Sequence, residues 1–409
     1  VGRLPLKGGR IREESMHLYV GIDAAKDIHW ACAISSDAKA IFSHAVRNDP
    51  EGIEALISEL SAPDAASVTV ALDLLGGCAT LLCAMLAEAG FRVVHTPGLA
   101  VNRARQGTRG GENKSDPRDA ATIADLARTR MDLRPVEVET EINVDIRLLV
   151  GRRREVVVDQ TRRLARLRDL TSSLFPALER RIDVRTKAGL VFLSLFAAPH
   201  ELRDAKPERL ARQLTKAYPR MRGADAMAEE AVTLAKAQAI DVPGAQTRAR
   251  LVKDLATEAL AARAQRDRID ADLELLLDCH PDAALIRSLP GMGAVLTADF
   301  IACVGSATRF RSADALAAAA GLTPVLRQSG KSRTVRRSTG GDKTLKRVFF
   351  QSAFNALADP ESRAFYDRKR TEGKRHNQAV IALARRRVNV VWAILQTRTP
   401  FSPNFKNAA

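Results

Sequence analysis

LYVGID, residues 18–23, is a short apolar run that closes on an acid, and reading it as a β-strand decides the fold. HWACAI (29–34) and FSHAV (42–46) follow as antiparallel-type strands, and a polar helix runs from about Pro50 to Leu60. SVTVALD (67–73) reads as a buried strand that again ends in an acid. An amphipathic helix, TLLCAMLAEA (80–89), leads to a further strand, FRVVH (91–95). The succession predicts an α/β domain that ends near Arg130.

Asp23 and Asp73 therefore sit at the carboxyl edge of a sheet, where open α/β domains hold their ligands. A second pair of acids lies in KSDPRDA (114–120), directly after the Arg- and Gly-rich stretch RQGTRGGENK (105–114). Asp116 and Asp119 stand one turn apart at a helix start, so both can face the same side. Taken alone they read as an N-cap and a first-turn acid within a solvated salt cluster. Taken with Asp23 and Asp73 they read as half of a metal site, because four gathered carboxylates repel and hard divalent cations relieve that repulsion. Oxygen-only ligands favour Mg²⁺ or Mn²⁺, and two such ions about 3.5–4 Å apart stabilise the attacking and leaving oxygens of a phosphodiester displacement.

The 409 residues are enough for two or three domains at roughly 100–200 residues each. Sixty-four Lys and Arg against 48 Asp and Glu give a formal charge of +16, which points to a polyanionic partner whose condensed counterions are released on binding. The five cysteines form no CxxC pair and sit in apolar runs, so they read as reduced core residues of a cytoplasmic protein. No apolar run approaches the ~20 residues of a membrane span, and the start lacks a signal-peptide pattern. Residues 1–15 read as an upstream extension before Met16.

Beyond Pro135 the pattern changes to long charged helices. Val150, Val157, Leu164, Leu167, Leu174 and Leu178 recur at helical steps, as do Leu251, Leu255, Ala262, Ile269, Leu273 and Leu276. They predict an antiparallel hairpin, a subunit-pairing coiled coil, or the core of an ordinary bundle. LPGMGAVLTADF (289–300) has helix-hairpin-helix grammar, in which glycine lets a turn approach a phosphate backbone; a plain helical turn explains it as well. An alanine-rich helix covers 313–320. A cationic segment holds Arg327, Lys331, Arg333, Arg336, Arg337, Lys343, Lys346 and Arg347, whose donors suit phosphates. Another basic run leads from 368–370 into 385–387, and the arginines of 152–168 are a candidate RNA-backbone surface. Aromatic residues are only 4% of the chain, which argues against a base-stacking platform.

GIDAAK (21–26), VALD (70–73), PGLAVNRA (97–104) and KSDPRDAATIA (114–124) resemble the N-terminal DEDD domain of insertion-sequence-110 family transposases. LPGMG (289–293), AGLTPVLRQSG (320–330) and DKTLKRVFF (342–350) resemble their second conserved domain. The resemblance implies an α/β ribonuclease-H/RuvC-like N-terminal domain (16–134), a long helical coiled-coil middle region (135–282) and a mainly α C-terminal transposase domain (283–400). It implies Mg²⁺-dependent recombination of donor and target DNA and guidance by a structured non-coding bridge RNA. Joining two duplexes needs several cuts, and with one site per chain that mechanism, together with the long helices, predicts a homo-oligomer, dimer or tetramer. Carried over by position, Asp23, Asp73, Asp116 and Asp119 become the metal-binding catalytic acids and Ser329 the nucleophile, with Ser332 its rival. The second acid is usually described as Glu, so Asp73 must stand about one methylene closer to any ion.

Three other readings compete. A RuvC-like nuclease would hydrolyse DNA with water and need no serine. An actin- or sugar-kinase-like ATPase shares the GID opening but not the turn residues that normally follow. A non-catalytic nucleic-acid-binding protein would use its acids only structurally.

Overall fold

The computed structural model describes residues 16–61, 65–108, 111–133, 135–136, 140–306, 309–330, 332–336 and 338–402. The upstream extension 1–15, Lys331 and Arg337 lie outside the described residues. The chain divides into two compact units, Val1–Val138 and Glu139–Ala409.

The first unit is built on a five-stranded mixed sheet of β1 (Met16–Asp23), β2 (Ile28–Ile34), β3 (Ala40–Arg47), β4 (Ala65–Leu72) and β5 (Arg92–His95), in the order β3-β2-β1-β4-β5. β1, β2 and β3 pair antiparallel, whereas β4 runs parallel to both β1 and β5. This is the succession expected from the sequence. Four helices cover the sheet: α1 (Pro50–Leu60), α2 (Thr80–Glu88), α3 (Gly98–Gln106) and α4 (Asp116–Thr129). The two-residue period of β1 divides the core. Val20 and Ile22 pack with Ile53, Leu56, Leu82 and Leu86 of α1 and α2, while Ala71, Cys32 and Ile34 meet Val101, Ala120, Ile123 and Ala124 of α3 and α4. Gly21 and Asp23 share the α4 side of β1 by that alternation.

The second unit is helical apart from one hairpin. α5 (Glu141–Leu174) and α11 (Ala245–Cys279) are its long members, of 34 and 35 residues. The ion pairs Arg153–Asp270 (2.5 Å) and Arg163–Glu258 (3.1 Å) advance along one helix as they retreat along the other, so the two run antiparallel. Five helices lie between them in sequence: α6 (Pro176–Glu179), α7 (Lys187–Leu195), α8 (Pro199–Leu202), α9 (Pro207–Ala217) and α10 (Ala224–Ala237). They close one apolar cluster over Leu167, Leu174, Val252 and Ala256. At the other end Ile146, Val150, Ile269 and Leu273 join the core of α12 (Ala283–Arg287), α13 (Ala294–Val304), α14 (Ala313–Ala319), α15 (Lys343–Asn355), α16 (Pro360–Thr371) and α17 (His376–Thr397).

Two readings from sequence change. The cysteines are all free, but only Cys32 is buried, and Cys279, the last residue of α11, is exposed. Of the two glycines of LPGMG, Gly291 faces protein, since a β-carbon there, at φ +85°, would stand 2.6 Å from the carbonyl oxygen of Ser352 in α15, whereas nothing stands within 4 Å of one on Gly293. No helix among the described residues is long and apolar enough to cross a membrane.

Candidate active site

Parallel pairing places Ile22 opposite Leu72. The next residue of each strand, Asp23 and Asp73, therefore emerges side by side at one edge of the sheet. α4 brings the other two acids across the α4 side of β1, with Asp119 buried in its first turn and Asp116 exposed at its start. The acids feel one another. Burial, and then the charges of Asp73, Asp119 and Asp116, push the Asp23 carboxyl up from 3.8 to about 6 against the opposing Lys114. Asp73 is raised too, by burial first, although the Ala24 amide and the charge of His95 oppose it.

Three residues of this site were not assigned to it from the sequence. His95 Nε2 lies 3.1 Å from the Asp73 carbonyl oxygen; its place at the end of β5, in register with Leu72, was the signal available. Lys114 supplies a positive charge to Asp23. Arg105, from the last turn of α3, sets Nε 3.3 Å from Asp119 Oδ1 with both side chains about nine-tenths buried.

The donor set suits a hard divalent cation. All four side chains offer oxygen, and Asp73 Oδ1 and Asp119 Oδ1 are buried with no hydrogen-bond donor. The set is open, however: among the described residues no three His, Cys, Asp or Glu side chains stand close enough together to hold one ion.

Ser329 lies on a β-hairpin. β6 (Val325–Ser329) and β7 (Ser332–Arg336) form an antiparallel hairpin, fully exposed along both strands, with Ser329 opposite Ser332 beside the turn. The register puts Arg327, Ser329, Ser332, Thr334 and Arg336 on one face. The hairpin is gripped at its base. A β-carbon on Gly341 would stand 2.5 Å from the Gly321 nitrogen, and one on Gly321 would stand 2.5 Å from the Gly340 oxygen, with both residues at positive φ. The Asp342 amide donates to the Ala319 carbonyl at 2.7 Å, and Lys346 Nζ donates to that of Gly321 at 2.9 Å.

Comparison with known proteins now bears on these two places. A family model for DEDD transposases of the IS110 type matches residues 20–176, and one for transposases of the IS116/IS110/IS902 family matches 283–367. The insertion element IS900 uncharacterized 42 kDa protein of Mycobacterium paratuberculosis is 41% identical, over 96% of this chain and 99% of its own. The chain belongs to the IS110 family of transposases. The insertion element IS116 uncharacterized 44.8 kDa protein of Streptomyces clavuligerus is 38% identical over 94% of this chain and 96% of its own. T. thermophilus RuvC, solved in complex with Holliday junction substrate, shares 17% identity over 29% of this chain and 99% of its own at a TM-score of 0.23, too low to carry an argument.

The cations of this transposase divide into exposed and committed ones. Arg327, Arg333, Arg336 and Lys343 are exposed. Arg347, though exposed as well, donates through Nη2 to the buried Asp299 of α13 at 2.9 Å, and Lys346 is tied to the hairpin base. In the 152–168 run, Arg153 and Arg163 hold α11, and Arg168 Nε stands 3.6 Å from Glu179. That run therefore serves helix pairing as well as any nucleic acid.

Proposed function

We propose that this IS110-family transposase cuts and rejoins DNA through Ser329, assisted by a divalent cation held at Asp23, Asp73, Asp116 and Asp119, with Mg²⁺ the expected ion and Mn²⁺ a substitute. The observation that carries the reading is the placement of Asp23 and Asp73 side by side at a sheet edge with the first turn of α4 across them, where burial, and then the charges of Asp73, Asp119 and Asp116, raise Asp23 to about 6. When bound, a hard cation there supplies Lewis-acid stabilisation of charge on phosphoryl oxygens. Ser329 Oγ forms a bond to phosphorus, a sugar oxygen leaves with its electron pair, and the serine proton passes to a base. Arg327 and Arg336 share the face of Ser329, which suits the phosphates flanking the break. Exposure of the whole hairpin supports a role at a DNA surface.

Acids and serine belong to different units of the chain, so the reaction requires them to meet, within one protomer or across an oligomer. The resemblance supports guidance by a structured non-coding RNA, which leaves target choice to base pairing. The division into a catalytic domain at 16–134, a helical region at 135–282 and a C-terminal domain at 283–400 is part of the same proposal.

Incubation with supercoiled donor and target DNA, the cognate RNA and Mg²⁺ tests the reading. Recombinant product that disappears with Asp116→Ala and with Ser329→Ala supports it; full activity in both variants overturns it. Mg²⁺-dependent cleavage that survives Ser329→Ala marks a nuclease that uses water.

A further inference from the structure

Arg105 is a cation that no motif of this chain demands, placed against a carboxylate of the acid set. Its side chain is 11% exposed and that of Asp119 is 10% exposed. Yet the contact is not a locked fork. Nη2 donates to Asn102 Oδ1 at 2.8 Å, while Nε, Nη1 and the facing Asp119 Oδ1 complete no hydrogen bond. Charge rather than directional bonding holds the two together, the kind of pairing another cation can displace. The backbone beneath is closely packed: a β-carbon on the buried Gly111 would stand 2.1 Å from the Arg105 carbonyl oxygen at the end of α3.

We propose that Arg105 is a resident counter-cation that competes with a divalent metal ion for Asp119. The proposal rests on the acid-set reading given above. Two consequences follow from the geometry. A positive charge this close to Asp119, in a site shielded from water, opposes a second cation at the same carboxylate. The same charge, 3.3 Å from Asp119 Oδ1, offsets the repulsion between that carboxylate and the other acids of the set. Arg105 thereby sets how much metal is needed to complete the site.

Calorimetric titration of the full-length protein with Mn²⁺ tests this, together with thermal unfolding in chelator. Arg105→Gln is expected to bind Mn²⁺ about tenfold more tightly, to unfold at a lower temperature in chelator, and to gain more from Mn²⁺ than the wild type does. Arg105→Lys, which keeps the charge, is expected to stay near the wild-type affinity. Should Arg105→Gln fail to fold, Arg105→Met, which removes the charge but keeps the long apolar stem, is read in its place and should tighten Mn²⁺ binding to the same extent. Binding that weakens with Asp119→Asn but is unchanged or weaker in folded Arg105→Gln overturns the competition and leaves the acid set standing. A wild type that binds no Mn²⁺ removes both.

Discussion

A β-carbon on Gly21 would stand 2.1 Å from the carbonyl oxygen of Ala120. The strand that ends in Asp23 and the helix that begins with Asp116 thus meet backbone to backbone, with Ala124 of the next turn as close as 2.3 Å. The glycine of GID has its meaning here: without a side chain it lets α4 carry Asp119 to the sheet edge.

Gly21→Ala is therefore expected to push α4 away from β1. Overpacking of this kind costs about 1–3 kcal/mol, visible as a lower midpoint in urea. The same variant should lose Mn²⁺ binding out of proportion to its stability, since it separates Asp119 from Asp23.

The pH dependence of stability follows from Asp23. Its carboxyl is raised from 3.8 to about 6, so between those values the fold keeps a proton that the unfolded chain has lost. The corresponding stability is fully present below the unfolded value and disappears as pH rises through about 6. In chelator, Asp23→Asn should raise stability above pH 6, by on the order of 1 kcal/mol once solvent screening is allowed for, and flatten the profile from pH 4 to 6. A profile unchanged by the substitution contradicts the proximity of the acids.

The hairpin base gives a separate test. Gly341→Ala would set a β-carbon 2.7 Å from the Ala319 oxygen as well as against Gly321, and its φ of +86° is strained for any side chain. The variant should lose roughly 1–3 kcal/mol. It should also speed amide exchange in 325–336 while leaving exchange in β1 and β4 unchanged. Recombination should fall with it even when the protein remains folded.

Buried Asp299 offers another. It draws Arg347 of α15 to 2.9 Å and Arg154 of α5 to 3.9 Å, joining the long helix to the C-terminal elements. Asp299→Ala leaves these half-exposed arginines without their carboxylate and should destabilise the second unit by about 1–3 kcal/mol, the penalty of a broken partly buried pair. Its urea midpoint should fall by less in high salt, where the surviving charges are screened.

The first unit was legible in sequence because each strand buries an alternating face against helices, so its periodicity is imposed by the core. Asp23 and Asp73 announced themselves by ending apolar runs, and Asp116 and Asp119 by opening a helix. The hairpin at 325–336 was not legible for the opposite reason: exposed on both faces, with Val325 next to Leu326 and Arg327 next to Gln328, it carries no two-residue pattern. Arg105 and His95 meet their partners only through tertiary packing, which spacing along the chain does not encode. The LPGMG turn shows a further limit, since Gly291, one of its two glycines, is spent on close contact with Ser352.

Mass mapping of a protein–DNA adduct trapped during recombination tests the central claim most directly. The account predicts a phosphodiester-linked nucleotide on Ser329, formed only with a divalent cation and absent in Ser329→Ala but present in Ser332→Ala. An adduct on Ser332, or strand exchange with no protein-linked DNA at all, would contradict it.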